Sequence, residues 1–290
     1  MKKLNTPASG PAVRPRHTSP QWPHPPILKN KPKFPVKPQL TVLGCGTSTG
    51  SPVLACPCKT CTSKDPRNQR LRASVCIVAQ KKVFLIDTSP DLRTQALRNH
   101  IHWIDAVLYT HPHADHLHGI DELRTFNFLM GKTLPVYGNS WTLKEIRSKF
   151  GYIFEKTQEG GGKPHLSLYL LNKPLNIQGV RVTPLHLIHG NLRVLGYRIK
   201  DIAYITDCSY VPESTFRSLR NLDVLVLDCL RFHKHSTHLN VEEALLLAKR
   251  IGAKRTYFTH MGHEIEYRSF AKSLPKGMYP AYDGLVIQSS

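Results

Sequence analysis

Thr110-His111-Pro112-His113-Ala114-Asp115-His116 is the stretch around which the rest of the chain is arranged. An apolar run, Ala106-Val107-Leu108-Tyr109, leads directly into it. Such a run predicts a strand that delivers the chain to a sheet edge, with a turn that fans out the side chains behind it. His111 and His113, two apart, can face one metal. Asp115 and His116, past the next bend, can reach a second. Imidazole nitrogens with a carboxylate suit zinc, manganese or iron. A histidine-rich surface loop is the plain alternative, but it does not explain four such side chains packed directly behind an apolar strand.

Working outward, the totals set bounds. The chain has 290 residues, 40% of them hydrophobic, enough for one large domain or two small ones. Apolar runs are far shorter than the roughly 20 residues of a membrane helix, and the N-terminus has no apolar core of a secretory signal. Three of the seven cysteines form Cys56-Pro57-Cys58-Lys59-Thr60-Cys61. That spacing points to metal binding in a reducing compartment, not to disulfides, so a cytoplasmic protein is expected. Of the net charge of +20, the eight lysines and arginines of residues 1–38, which contain no acid, supply +8, leaving +12 on the remainder. A basic surface attracts nucleic acid or phosphorylated small molecules, or is simply solvated.

Residues 1–38 are proline-rich, basic and without periodicity, so a disordered tail is expected there, with one folded domain over 39–290. Strands are predicted at 39–43, 73–79, 83–87, 106–109, 134–137, 166–171, 180–187, 194–199, 202–206, 224–228 and 255–258. Helices are predicted at 91–99, 119–130, 141–154 and 240–251, the last opened by Asn240 and Glu243 in capping-box spacing. Gly160-Gly161-Gly162 reads as a flexible loop. Strands recurring in two halves among helices give an α+β architecture, two sheets sandwiched between helices.

Two metals need more ligands than the opening motif supplies. His189, Asp207 and His260 each follow or end an apolar strand, where a rigid scaffold can aim them. Each alone would be an ordinary strand-end residue. His186 competes with His189 for the same role, and His189 is preferred because it sits beyond the strand, before Gly190.

The H-x-H-x-D-H segment resembles the signature of the metallo-β-lactamase superfamily, which implies an αββα sandwich with a one- or two-metal site at one sheet edge. On that resemblance His111, His113 and His189 hold a first metal, Asp115, His116 and His260 a second, and Asp207 bridges them. Asp87 is then a support behind the ligands. Two such ions share a water and lower its pKa. His238 is the candidate acid for the leaving oxygen, with His233 and His235 as alternatives. Cys56, Cys58, Cys61 and, as fourth ligand, His263 would bind a structural zinc. Three unconnected buried cysteines are the competing reading.

Gly44-Cys45-Gly46, Gly50-Ser51-Pro52, the cysteine cluster, Leu123-Arg124, His189, Thr206-Asp207, His238 and Thr259-His260-Met261-Gly262-His263 together resemble the phosphoribosyl 1,2-cyclic phosphate phosphodiesterases of the carbon–phosphorus lyase pathway. The resemblance spans about residues 39–289. It implies hydrolysis of a cyclic ribose phosphate or related phosphodiester with two manganese or zinc ions and a separate structural zinc. Arg124 either holds a substrate phosphate or forms an ion pair with a nearby acid. A phosphorylated small molecule is the expected partner, no membrane is expected, and RNA and a homodimer stay open. Two rivals share the fold. A tRNA 3′-processing endonuclease needs a long arm, which no segment here resembles. Pyrroloquinoline quinone biosynthesis protein B departs in the catalytic ligands. A nucleic-acid-binding module with purely structural zinc is the third alternative.

Overall fold

The computed structural model describes residues 27, 28, 30–156 and 162–290. Its strands are β1 (Gln39–Gly44), β2 (Ser74–Ala79), β3 (Lys82–Ile86), β4 (Ala106–Leu108), β5 (Leu134–Gly138), β6 (Leu166–Leu170), β7 (Leu175–Ile177), β8 (Val180–His189), β9 (Leu192–Ile199), β10 (Ile202–Ile205), β11 (Val224–Asp228), β12 (Arg255–Thr259), β13 (Met278–Pro280) and β14 (Val286–Gln288). The helices are α1 (Leu92–Arg98), α2 (Ala114–Leu117), α3 (Leu123–Met130), α4 (Ser140–Lys149), α5 (Glu213–Phe216), α6 (Val241–Ile251) and α7 (Tyr267–Ser273). They build two seven-stranded mixed sheets, in the orders β14-β1-β2-β3-β4-β5-β6 and β13-β12-β11-β10-β9-β8-β7. This is the expected α+β sandwich.

Period-two alternation in the first sheet explains the layering. Leu40, Val42, Val75, Ile77, Phe84, Ile86, Ala106 and Leu108 join one core with residues of the second sheet. Their neighbours Leu43, Cys76, Val78, Val83, Leu85, Val107 and Tyr109 pack on the other face with Leu92, Leu123, Phe126 and Ile146 of α1, α3 and α4. Both faces are buried, so these strands read as unbroken apolar runs. Ala244 and Ala248 of α6 and Phe270 of α7 close the second sheet's side of the other core.

Strand direction then positions the site. β3 and β4 run parallel, as do β10, β11 and β12, so their C-terminal ends open at one edge of each sheet. At that edge Tyr197 Oη donates to Tyr109 O at 2.5 Å and Leu195 N to Thr110 O at 3.0 Å, tying the sheets together.

Several boundaries differ from those expected. The helix expected over 119–130 is a 3₁₀ turn (Ile120–Glu122) followed by α3, and α4 ends at Lys149. β8 includes His189 instead of stopping at 187. α2, α5, α7, β7, β13 and β14 were not read from the sequence, since elements of three to seven residues carry too little periodicity. Of the expected tail, residues 1–26 and 29 lie outside the described residues, as do Gly160 and Gly161. Residues 30–38 run along the domain. Lys31 pairs with buried Asp105 at 2.6 Å, Phe34 packs on the α1/α3/α4 core, and Pro38 O accepts from Ser289 N at 2.9 Å. Asp105 lies under the surface, and Lys31 and Lys132 supply its cations.

Candidate metal centre

Each residue of the centre is placed by a strand end. Asp87 follows β3, His111 lies three residues past β4, His189 closes β8, Asp207 lies two past β10, Asp228 closes β11 and His260 follows β12. α2 turns back immediately, carrying Asp115 and His116. The turn packs so closely that a Cβ on Gly119 would lie 2.0 Å from Ser89 O, so only glycine fits there.

Three groups of donor atoms result, each with all members within 4.8 Å of one another: His111, His113, His189 and Asp207; Asp115, His116, Asp207 and His260; and Asp207, Asp228, His238 and His260. Asp207 belongs to all three. Its Oδ1 lies 3.1 Å from His116 Nε2 and 3.3 Å from His260 Nε2. Its Oδ2 lies 3.7 Å from His111 Nε2 and 4.0 Å from His189 Nε2. His186, the competitor of His189, is exposed and bonds Asn172 O, because a separation of three along a strand turns it to the opposite face.

Hydrogen bonds fix which nitrogen faces inward. The Thr110 hydroxyl donates to Asp87 Oδ2 at 2.8 Å and so accepts from His111 Nδ1–H at 2.9 Å. His116 Nδ1–H donates to Asp87 Oδ2 at 2.8 Å, and His189 Nδ1–H to Thr237 O at 2.8 Å. In all three rings Nε2 is left for the cavity, the usual outer-shell arrangement of metal-bound histidine. The buried Nε2 atoms of His111, His116 and His260 have no hydrogen-bond partner. Asp87, Asp115, Asp207 and Asp228 converge here, and among the described residues no lysine or arginine pairs with them. Buried anions without cationic partners, facing unpartnered imidazole nitrogens, fit divalent cations.

Titration follows the same logic. Burial lowers the pKa values of His111, His113 and His189, keeping them neutral donors. Burial acts the same way on His116, but the carboxylates of Asp207, Asp115 and Asp87 outweigh it and raise its pKa well above the ordinary value. Burial would raise Asp207, but His116, His260 and His111 hold it well below the carboxylate range.

His238 stands at the rim of this set. Its Nδ1 is 3.3 Å from Asp228 Oδ1, its Nε2 is 3.9 Å from Asp207 Oδ2, and its ring stacks on His260 with centroids 4.8 Å apart. Burial works against its charge, but Asp228 more than compensates and raises its pKa. Asp228 also accepts from Asp207 N at 3.2 Å and Leu239 N at 3.0 Å, gripping both residues' segments. The sequence reading passed over Asp228, although it ends an apolar strand just as His189 does. His235 bonds Thr237, and His233 is exposed. Arg124 is half exposed, pairs with Asp121 at 3.1 Å and reaches Gly162 O at 3.5 Å. That is the ion-pair alternative, and no described contact joins Arg124 to the metal-facing residues.

A fourth donor group is separate. Cys56, Cys58 and Cys61 Sγ lie 3.3, 3.4 and 3.7 Å from His263 Nδ1. A tetrahedral zinc, with bonds of about 2.3 Å to sulfur and 2.0 Å to nitrogen, spaces its ligands roughly 3.5 Å apart, so the group fits that ion. The amide of Cys61 donates to Cys58 Sγ and holds its thiol at about 6, whereas burial pushes Cys61 to about 11.

Comparison with known proteins decides the family. A family model described as the beta-lactamase superfamily domain matches residues 82–261. The chain belongs to the β-lactamase superfamily. Within it, a crystal structure of a diphosphatase from the PhnP family is 39% identical, with a TM-score of 0.82 over 87% of this chain and 97% of that one. A probable metallo-hydrolase, YhfI of Bacillus subtilis (strain 168), is 29% identical over 174 residues, 55% of this chain and 67% of that protein. An octanoyltransferase of Porphyromonas gingivalis (strain ATCC BAA-308 / W83) is 36% identical over 249 residues, 84% of this chain. The match spans only half the length of that transferase. The diphosphatase and the probable metallo-hydrolase among these relatives are in keeping with the resemblance read from the motifs. No helix among the described residues is long and apolar enough to cross a membrane.

Proposed function

We propose that the protein is a metal-dependent phosphodiesterase that opens a cyclic ribose phosphate or a related phosphodiester. His111, His113 and His189 hold one catalytic cation, Asp115, His116 and His260 a second, and Asp207 bridges them. A structural zinc sits in Cys56, Cys58, Cys61 and His263. The observation that carries the reading is the division of the Asp207 carboxylate, one oxygen toward each histidine set.

When bound, the two manganese or zinc ions supply Lewis acidity at the phosphoryl oxygen and acidify a water. The chain does the rest. Asp87 and Thr110 hold His111 and His116 in the tautomer that faces inward. Asp228 holds His238 by Nδ1, so the proton to be delivered is at Nε2, beside the same oxygen of Asp207 that faces the first set. There it passes to the leaving oxygen as in-line attack proceeds.

A diphosphate is the second reading, favoured by the likeness to the PhnP-family diphosphatase. The same groups serve it, since a phosphoanhydride also presents a phosphoryl centre and a leaving oxygen. Acyl transfer is not adopted. Half of the octanoyltransferase lies outside the match, and burial raises the thiols of Cys208 and Cys229, which flank Asp207 and Asp228, away from the nucleophilic thiolate. RNA is supported only by the domain's basic excess and by a hollow lined by Arg181 on β8, Arg198 on β9 and Lys200 in the turn after it. The thiolate cluster suits a reducing compartment, in keeping with a cytoplasmic enzyme.

The test is hydrolysis of 5-phosphoribosyl 1,2-cyclic phosphate by manganese-loaded protein, followed by phosphorus NMR. Ring opening is expected, and Asp207→Ala is expected to abolish it. Protein carrying two catalytic cations that turns over neither phosphodiesters nor diphosphates would overturn the reading.

A further inference from the structure

Arg70 is a fully buried arginine, 2% exposed, and among the described residues no carboxylate lies within ion-pairing distance of it. Its guanidinium is spent on two backbone carbonyls and the Asn68 side chain instead. Nη1 donates to Gly262 O at 3.1 Å, and Nη2 donates to Ile265 O at 2.6 Å and Asn68 Oδ1 at 3.2 Å. Those two carbonyls stand on either side of His263. Arg70 grips the cysteine side as well, through its own backbone. Arg70 N donates to Ser51 O at 2.7 Å and Ser51 N to Arg70 O at 2.9 Å, and two residues further on Val53 N donates to Cys61 Sγ at 3.3 Å. One residue thus anchors both halves of the Cys56, Cys58, Cys61 and His263 group.

The same segment carries His260. Met261 N donates to Cys45 O at 2.9 Å and Gly262 N to Leu230 O at 2.8 Å, so the backbone just after His260 is held, and Arg70 holds Gly262 and Ile265 at its far end. His260 itself stands in left-handed backbone, φ +59°, a conformation that persists only when its surroundings fix it. Charge supplies the second argument. Three thiolates and one dication would leave a net charge of −1, and Cys61 acts electrostatically on the Arg70 guanidinium, after Cys45, Asp283 and Glu266. Arginine stays protonated even when buried and presents a rigid fork that lysine lacks.

We infer that Arg70 is a positioning residue whose fork sets the segment 260–265, so that cation affinity in the Asp115, His116 and His260 set depends on the cysteine cluster some residues away. The inference rests on the metal reading given above. It adds that the two kinds of site are mechanically joined through one buried guanidinium.

The experiment uses full-length protein, wild type and the variants Arg70→Lys and Arg70→Met. Manganese affinity is read by electron paramagnetic resonance, and zinc release is read with the chromogenic chelator 4-(2-pyridylazo)resorcinol. Arg70→Lys keeps the charge and loses the fork. It is expected to retain zinc but to bind manganese on the order of 10-fold more weakly, the scale of outer-shell substitutions. Arg70→Met loses both and is expected also to release zinc faster. Wild-type manganese affinity in a folded Arg70→Lys protein overturns the inference. Should Arg70→Met not fold, wild-type protein stripped of zinc, with unchanged far-ultraviolet circular dichroism, is expected to show the same loss of manganese affinity; unchanged affinity there also overturns it. Wild-type protein that binds neither zinc nor manganese fails earlier, at the metal reading itself.

Discussion

Asp87, Asp207 and His260 share a left-handed backbone conformation, with φ of +63°, +50° and +59°. For residues with a Cβ this costs about 1–2 kcal/mol each, and such strain concentrates at functional sites. Each tight turn directs a side chain from its strand end into the cleft. The Asp207→Ala test therefore changes two things, the carboxylate and the ease of the turn. Asparagine tolerates left-handed backbone better than alanine. Asp207→Asn is expected to lose a catalytic cation as Asp207→Ala does, yet to melt later in the metal-free state, by about 1 kcal/mol of stability. Equal melting of the two variants would mean that the turn is not strained. Asp228 makes a second prediction at this scale. Asp228→Asn keeps an acceptor for one amide but removes the charge behind His238, and kcat is expected to fall about 10- to 100-fold with cation content unchanged. A variant with wild-type kcat would remove Asp228 from the proton-delivery pair. The histidines and Asp207 were legible because they sit at strand ends in a recognisable order. Asp228 carried the same signal without the motif around it.

Among the elements, α6 and α7 contrast in how they declare themselves. Asn240 and Glu243 form a complete capping box, with bonds of 2.9 and 3.0 Å, and the spacing alone predicted that helix. α7 begins at Glu266, an unusual cap, whose carboxylate accepts from Ser269 N at 2.8 Å, Arg268 N at 3.2 Å and Asn68 Nδ2 at 3.0 Å. Burial would raise its pKa, but those bonds, Asn68 foremost, hold it at about 2. A carboxyl whose folded pKa is depressed stabilises the fold above its unfolded value near 4.5, and that contribution is lost as pH falls toward 2. Glu266→Ala is expected to cost about 1 kcal/mol near neutral pH. Thermal melts should show the gap from wild type closing between about pH 4.5 and pH 2. A gap independent of pH would show that the carboxylate charge plays no part. α7 escaped the sequence reading because its seven residues bury only Phe270 and so set up no periodic face.

For the whole molecule, the decisive fact is that two sheets bring their parallel strand ends to one edge, while a distant loop is stapled to the same edge. The cysteine loop and His263 are about 200 residues apart in sequence, as Cys58 and His263 show with a separation of 205. Closing a loop of that size carries an entropic cost, which an ion bound to the proposed site would offset in the folded state only. Cys58→Ala is expected to lose the zinc and melt well below wild type, with chemistry harmed less than stability. A soluble, fully stable variant with unchanged zinc content would refute the structural role.

The sequence by itself determined the sandwich, because apolar runs and their order encode which segments bury both faces. It also supplied the candidate ligands, H-x-H-x-D-H through residue type and spacing, and His189, Asp207 and His260 through strand-end position and the resemblance to the superfamily. Only the tertiary structure decided which oxygen of Asp207 faces which histidines, that His189 closes β8 while His186 faces outward, and that Arg124 pairs with Asp121. These depend on strand register and on contacts between residues far apart in sequence. Arg70 is the sharpest case. An arginine in a polar loop, with Arg67 and Arg72 beside it, reads as solvated, and nothing local reveals that folding buries it between the two halves of a candidate metal-binding group. Burial is a property of the packed chain, set by what arrives from elsewhere, and here the arriving segment was 260–265.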